Sequence, residues 1–182
     1  MASIPYVALL RAVNLGSHNK VAMRDLVALA AALDLEAPRA LLQSGNLVFR
    51  SARRDAALLE RMLESAAAER LSLKTDFFVR SGTEWRALVS GNPFTAEANA
   101  DPGHLVVLCL KDEPGRAAAA ALEKAIVGRE TAHMSGRHVY LVYPDGIGSS
   151  RLTAAVIEKA VGTRGTARNW NTVQKIAALL EA

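Results

Sequence analysis

His104-Leu105-Val106-Val107-Leu108-Cys109-Leu110-Lys111 is the stretch on which the fold turns. Its apolar run is too short for a helix and is rich in Val and Leu, so it reads as a buried strand. It also restarts an order of elements that the chain has already run through once. Upstream, residues 4 to 13 alternate and are rich in Val and Leu, as a first strand would be. Met23, Leu26, Val27, Ala30 and Leu33 recur at helical spacing and predict a helix over about 22–34. Ala40-Leu41-Leu42 and Leu47-Val48-Phe49 flank Gln43-Ser44-Gly45-Asn46. Gly and Asn at that centre suit a tight hairpin turn, with a single bulged strand as the alternative. Leu58, Leu59, Met62, Leu63 and Ala66 predict a second helix over about 55–70, and Lys74 to Arg80 a further strand. Thr83 is placed to cap a short helix ending near Gly91.

Downstream of Lys111 the same order returns. Pro114 to Val127 reads as an Ala-rich helix with Pro at a first position that has no need of its N–H. Arg129 to Ser135 and Arg137 to Tyr143 read as a hairpin about Gly136, and a helix over about 151–161 follows, capped by Ser149 or Ser150. A last helix covers about 172–181. Strand, helix, hairpin, helix, twice over, is the order of a split βαβ unit. The expected fold is therefore α+β: two ferredoxin-like halves packed together, with mainly antiparallel sheets. The halves are residues 1–95 and 104–182, joined by a small, polar linker over 96–103. A further strand is clear only in the first half, and the halves share no convincing identity.

About half of the 182 residues are hydrophobic, enough to build a core and to exclude a disordered chain. No run of about eighteen apolar residues is present, so no membrane span is expected. The N-terminus lacks the basic and apolar regions of a signal peptide, and the single Cys109 allows no internal disulfide, so a cytoplasmic location is expected. The net charge of +4 invites a nucleic-acid partner. However, Arg outnumbers Lys 16 to 6, which a GC-rich genome produces by itself, and the longest basic run is Arg53-Arg54. A site for a small anion accounts for the charge equally well.

Three polar clusters stand out. Thr166-Ala167-Arg168-Asn169-Trp170-Asn171-Thr172-Val173-Gln174-Lys175 reads as a loop-to-helix junction, with Asn171 as N-cap and Gln174 completing a capping box. Arg168, Asn169 and Trp170 then lie before a helix N-terminus, where backbone N–H groups favour an anion, with Lys175 one turn in. Alternation puts Val7, Leu9, Arg11 and Val13 on one strand face, so Arg11 needs a partner. Asn14 to Lys20 forms a small polar loop before the first helix, but it matches neither GxxxxGK nor GxGxxG. Gly146-Ile147-Gly148-Ser149-Ser150-Arg151 reads as a turn plus a cap.

The four histidines show no metal spacing, no GxSxG elbow frames Ser44, and Cys109 sits in an apolar strand. Neither a metal nor a cofactor is expected. Phe77-Phe78 lacks the surroundings of an RNP motif.

Taken together, these segments resemble a bacterial family known as domain of unknown function 1697, over nearly the whole chain. The resemblance rests on Tyr6-Val7-Ala8-Leu9-Leu10-Arg11-Ala12-Val13-Asn14, Met23, Gln43-Ser44-Gly45-Asn46-Leu47-Val48-Phe49, Asn92-Pro93-Phe94, Ser150 and Thr166 to Lys175. Family members typically carry Gly-Gly where this chain has Gly16-Ser17, and an aromatic where it has Leu41 or Leu42. The family implies a compact α+β fold and no established reaction.

The leading expectation is a cytoplasmic protein that holds a small anionic or phosphorylated ligand between its halves. Arg11, Lys20, Arg168 and Lys175 would supply charge, Asn14, Gln43, Ser44, Asn46 and Asn169 hydrogen bonds, and Trp170 a wall. An enzyme on the same residues, with His18 as the nearby base, a nucleic-acid binder, and purely structural motifs are the alternatives. Oligomeric state is open at this point.

Overall fold

The computed structural model describes residues 2–14, 20–53 and 55–182. It is a mixed α+β structure with two four-stranded antiparallel sheets, each flanked by helices. The chain divides into two compact units, Met1–Ala87 with Lys175–Ala182, and Leu88–Gln174.

The first unit runs β1 (Ile4–Leu10), α1 (Met23–Ala31), β2 (Glu36–Leu41), β3 (Asn46–Ser51), α2 (Ala56–Leu71), β4 (Phe77–Ser81) and most of α3 (Gly82–Ser90). Its strand order is β2-β3-β1-β4. Period-two alternation sends Tyr6, Ala8 and Leu10 to one face of β1, where they join Phe49, Phe77 and Val79 beneath α1 and α2. Tyr6 and Phe49 stack at 5.8 Å, and the Tyr6 hydroxyl donates to the carbonyl of Arg53.

The outer edge of β4 is closed by side chains. Glu60 and Glu64, one turn apart on α2, accept from the N–H groups of Val79 and Phe77, each at 2.9 Å. The i, i+4 spacing of a helix nearly matches the two-residue spacing along a strand, so two carboxylates stand in for a missing neighbour.

The second unit begins within α3 and continues with α4 (Thr95–Ala100), β5 (Leu105–Leu110), α5 (Ala118–Ala125), β6 (Thr131–Ser135), β7 (His138–Val142), α6 (Ala154–Val161) and β8 (Gly165–Asn169), then the start of α7 (Trp170–Glu181). Its strand order is β6-β7-β5-β8. Val106, Leu108 and Leu110 of β5 meet Val139 and Leu141 of β7, covered by α5 and α6.

Several elements differ from the sequence reading. The stretch read as a junction is a strand: Gly165 to Asn169 forms β8, paired to β5 from Leu110↔Gly165 to Val106↔Asn169. Each unit thus has the fourth strand that was clear only in the first. Polar residues hid β8 because it lies at a sheet edge. The following helix starts at Trp170, and its cap is Asn169 rather than Asn171: Asn169 Oδ1 accepts from Thr172 N at 3.0 Å. Ser81 rather than Thr83 caps α3, in a reciprocal capping box with Glu84. Thr153 rather than Ser149 or Ser150 caps α6. The helix expected from Pro114 begins at Ala118, and α4 occupies part of the stretch read as linker. The first hairpin is two strands joined by Leu42 to Gly45, not one bulged strand. Among the described residues, no helix is long and apolar enough to cross a membrane.

Candidate functional site

β1 leaves its sheet after Leu10, where Leu10 N donates to Gly45 O and Arg11 N to Asp76 O. The chain then turns through conformations that side chains rarely adopt. Ala12 has φ +51°, Asn14 +55°, and Leu42, across the hairpin turn, +60°. Each costs about 1–2 kcal/mol for a residue with a Cβ. The turn at Ala12 also breaks the alternation expected from Val7 to Val13, so Val13 joins the core with Leu10 instead of sharing a face with Arg11.

Asn14 holds this bend in place. Its Nδ2 donates to Gln43 O at 2.7 Å and Val21 O at 3.0 Å, and its Oδ1 accepts from Val21 N at 2.9 Å. One amide therefore ties the end of β1, the start of the α1 segment and the hairpin turn together. Asn also tolerates positive φ better than other residues with a Cβ, which suits it to the position. Gly45 (φ +76°) completes the clasp, because a Cβ there would lie 2.6 Å from Val13 Cγ2 and 2.9 Å from Leu10 Cβ. Asn46 is wholly buried at the head of β3, and its Nδ2 donates to Leu41 O and Ser44 Oγ.

Around the clasp, Asn14, Lys20, Val21, Ala22 and Gln43 line an open depression. Lys20, Gln43 and Ser44 are exposed. α1 starts beside it, and among the described residues no side chain caps it: Ala22 is extended and offers only its carbonyl, which accepts from Asp25 N and Leu26 N. Arg11, on the β4 side of the bend, faces Asp76 at 3.9 Å, and Thr75 Oγ1 donates to Arg11 O. Gly16, Ser17 and His18, the middle of the expected loop, lie outside the described residues, and with them the one nearby base.

The remaining candidates are placed differently. Arg168 lies on β8, in the second unit, only 8 % exposed. Its Nη1 donates to Thr166 Oγ1 at 3.0 Å and Ala167 O at 2.8 Å. Burial pushes its pKa down to about 10, opposed by the nearby Cys109, so it remains a cation at neutral pH. Asn169 Oδ1 accepts from both the N–H and the hydroxyl of Thr172, and Trp170 is buried. Lys175 is exposed on α7, in the stretch that belongs to the first unit.

Two features escaped the sequence reading. Arg80, 3 % exposed on β4, repeats the Arg168 geometry, with Nη1 donating to the preceding carbonyl at 2.9 Å. The Ser-x-x-Glu box at Ser81 to Glu84 was its visible signal, since it marks a strand ending one residue after Arg80. The second feature lies in the other unit, where Arg129, Glu130, Asp145, Ser149, Ser150 and Arg151 line a shallow cleft. Ser150 Oγ donates to Glu130 Oε1, and Arg129 pairs with Asp145 at 2.9 Å. The Ser150 bond, then the backbone amide of Glu130, hold the Glu130 carboxyl below the usual carboxylate range; burial opposes them, and the amide of Gly128 adds the smallest contribution. These bonds latch β6 to the segment before α6. Among the described residues, no group of three or more His, Cys, Asp or Glu is placed to hold a metal.

The chain belongs to the family described as "Protein of unknown function (DUF1697)", which matches residues 4–140. Among solved structures it is similar to the conserved bacterial protein SP0830 from Streptococcus pneumoniae. That likeness has a TM-score of 0.76 at 24 % identity and covers 98 % of this chain and 99 % of the other. At that identity the likeness establishes a shared fold. A search of curated proteins finds no match.

Proposed function

We propose that the chain binds a small anionic ligand, such as a phosphorylated metabolite or nucleotide, at the clasp of its first unit. The observation that carries this reading is the start of α1, which no side chain caps among the described residues, opening onto the depression lined by Asn14, Lys20 and Gln43. A helix start presents free N–H groups and the positive end of its dipole, and a lysine beside it adds a full charge. Strained residues at Ala12, Asn14 and Leu42 are consistent with a site, since proteins keep such conformations where geometry matters more than stability. Asn14 acts through the shape of the bend, because its amide is already committed to Val21 and Gln43.

The test is a thermal-shift screen of nucleotides, sugar phosphates and simple anions, with Lys20→Ala and Gln43→Ala alongside. A ligand at a hundred times its dissociation constant adds about 2.7 kcal/mol. The expected result is a shift with at least one anion class that falls away in Lys20→Ala. A panel without any shift, or a shift unchanged in both variants, refutes the site.

A structural reading is favoured for Arg168, Asn169 and Trp170. Arg168 and Asn169 are spent on hydrogen bonds within the second unit, and Trp170 is buried.

A further inference from the structure

An edge strand exposes unpaired N–H and C=O groups, and proteins block that edge unless it is meant to pair. Three of the four edge strands here carry such a block. β4 has Glu60 and Glu64. β2 has Pro38, which lacks an N–H, a register shift between Glu36 and Arg39, and Ala37 at φ +47°. β8 has Glu158, whose Oε1 accepts from Gly165 N at 2.9 Å.

β6 has none of these. Thr131-Ala132-His133-Met134-Ser135 contains no Pro, Asp, Glu, Lys or Arg, and it pairs with β7 without a break from Thr131↔Val142 to Ser135↔His138. Beside it an open groove runs between α5 and β6, floored by Leu122, Ile126, Ala132 and Met134. Ile126, Ala132 and Met134 pack on the core yet stay partly exposed, so the core of this unit reaches the surface along its open edge.

We infer that β6 is a dimerisation edge, pairing antiparallel with β6 of a second copy of this chain. Charge permits it within the strand: Thr131 to Ser135 include no Asp, Glu, Lys or Arg, so their self-pairing sets no like-charged carboxylates or basic side chains opposite one another. Arg129, which falls opposite the second copy's Arg137 beyond the strand end, is held by Asp145. Register favours it. About a two-fold axis at His133, Thr131 meets Ser135 and Ala132 meets Met134, so polar and apolar faces both continue into the partner. The partner's Ala132 and Met134 then extend the groove floor. Topology limits it to two copies. The joined sheet runs from β8 through β6 to the second β8, and at both outer edges Glu158 occupies the N–H of Gly165. A self-complementary patch of this kind closes as a two-fold dimer rather than growing into a filament.

Sedimentation velocity of the full chain, from low micromolar to several hundred micromolar, tests this. The expected result is a concentration-dependent monomer–dimer equilibrium. His133→Lys, which sets two ammonium groups at the axis, weakens dimerisation by roughly tenfold or more with an unchanged circular dichroism melt. His133→Cys forms an intermolecular disulfide on oxidation, because directly opposed Cβ atoms in antiparallel strands are about 4.5–5.5 Å apart, close to disulfide reach. The buried Cys109 does not compete. A monomer at every concentration with no cross-link overturns the inference. So does a dimer that His133→Lys leaves intact, and so does a monomer whose β6 amides gain exchange protection only when an unrelated extended peptide is added.

Discussion

Gly45→Ala tests the clasp most directly. The substitution adds one methyl group at a backbone position with φ +76°. Holding a residue with a Cβ in that region costs about 1–2 kcal/mol. The new carbon would also sit 2.6 Å from Val13 Cγ2 and 2.9 Å from Leu10 Cβ. Val13 can move by rotating its side chain. Leu10 Cβ rides on the β1 backbone, paired on one side to β3 and on the other to β4, so relief requires the turn itself to shift. Overpacking of this kind costs about 1–3 kcal/mol. The stiffer unfolded chain returns about 0.4–1 kcal/mol. The net loss is about 1–4.6 kcal/mol, or about 2–18 °C in melting temperature for a domain of this size.

Urea unfolding followed by circular dichroism measures it, with an unchanged m value confirming that stability and not mechanism has moved. Two controls separate the causes. Gly136, at φ +53° with open space around it, isolates the backbone cost, and Gly148, open and without positive φ, should be near neutral. If Gly45→Ala loses no more than Gly136→Ala, the close approach of turn and strand is not what the position requires.

Three further outcomes are expected. Glu60→Ala strands the N–H of Val79 at the edge of β4 and should cost about 1–3 kcal/mol in urea unfolding, whereas Glu60→Gln, which keeps a carbonyl acceptor, should recover most of it; equal losses would mean the edge is not sealed by hydrogen bonding. Arg168→Ala should lower stability by about 1–3 kcal/mol, since it removes the donor to Thr166 and Ala167, and leave anion binding at the clasp intact. Lost affinity with an unchanged melt would return Arg168 to the ligand site. Burial pushes the phenols of Tyr140 and Tyr143 up to about 12, with smaller contributions from Cys109 and Glu130 respectively. The folded state thus favours the neutral ring. Its stabilising contribution is complete below pH 10 and is lost as the pH rises toward 12. Phenolate absorbance difference titrations against Tyr140→Phe and Tyr143→Phe should show both ionising late, and ordinary ionisation near pH 10 in a still-folded chain would contradict the burial argument.

Long apolar patterns made the fold readable. β1, β5 and β7 announce themselves by composition, and α1 and α2 by helical spacing. β8 was hidden because Gly165-Thr166-Ala167-Arg168-Asn169 has no apolar alternation to read; its pairing to β5 and its seal by Glu158 hold it as a strand. The cap expected at Asn171 followed from the same misreading, since the helix starts two residues earlier, at Trp170, and that changes which Asn can reach back to its N–H groups. At the clasp, Gln43 to Asn46 was legible as a turn, but the task of Asn14 was not. Its three bonds join points seven and twenty-nine residues away, a relation that local spacing cannot express.

The two units repeat each other in hydrogen bonds where they do not in residues. Leu10 N finds the carbonyl of Gly45 and Leu110 N that of Arg137, while Arg11 N finds Asp76 O and Lys111 N finds Arg164 O. Thr75 reaches back to the residue after β1, and Thr163 to the second residue after β5. Glu64 seals Phe77 and Glu158 seals Gly165, the residues paired with Leu10 and Leu110. Arg80 and Arg168 stand opposite Val7 and Val107 and bond the preceding carbonyl in the same way. Ser81 and Asn169 then cap the helices that follow. Only Thr and Arg keep both identity and spacing between residues 75–81 and 163–169, too thin a signal to detect in sequence. The comparison bears on Arg168. A buried arginine kept for a ligand at the β8–α7 junction has no reason to recur where Ser81 and Gly82 stand in place of Asn169 and Trp170. A buried arginine that fastens the last strand to its own sheet should recur wherever the same strand is built, and Arg80 does. The clasp has no such counterpart: among the described residues after β5 only glycines take positive φ, and none with a Cβ does as Ala12, Asn14 and Leu42 do, so what sets the first unit apart is the strained bend itself.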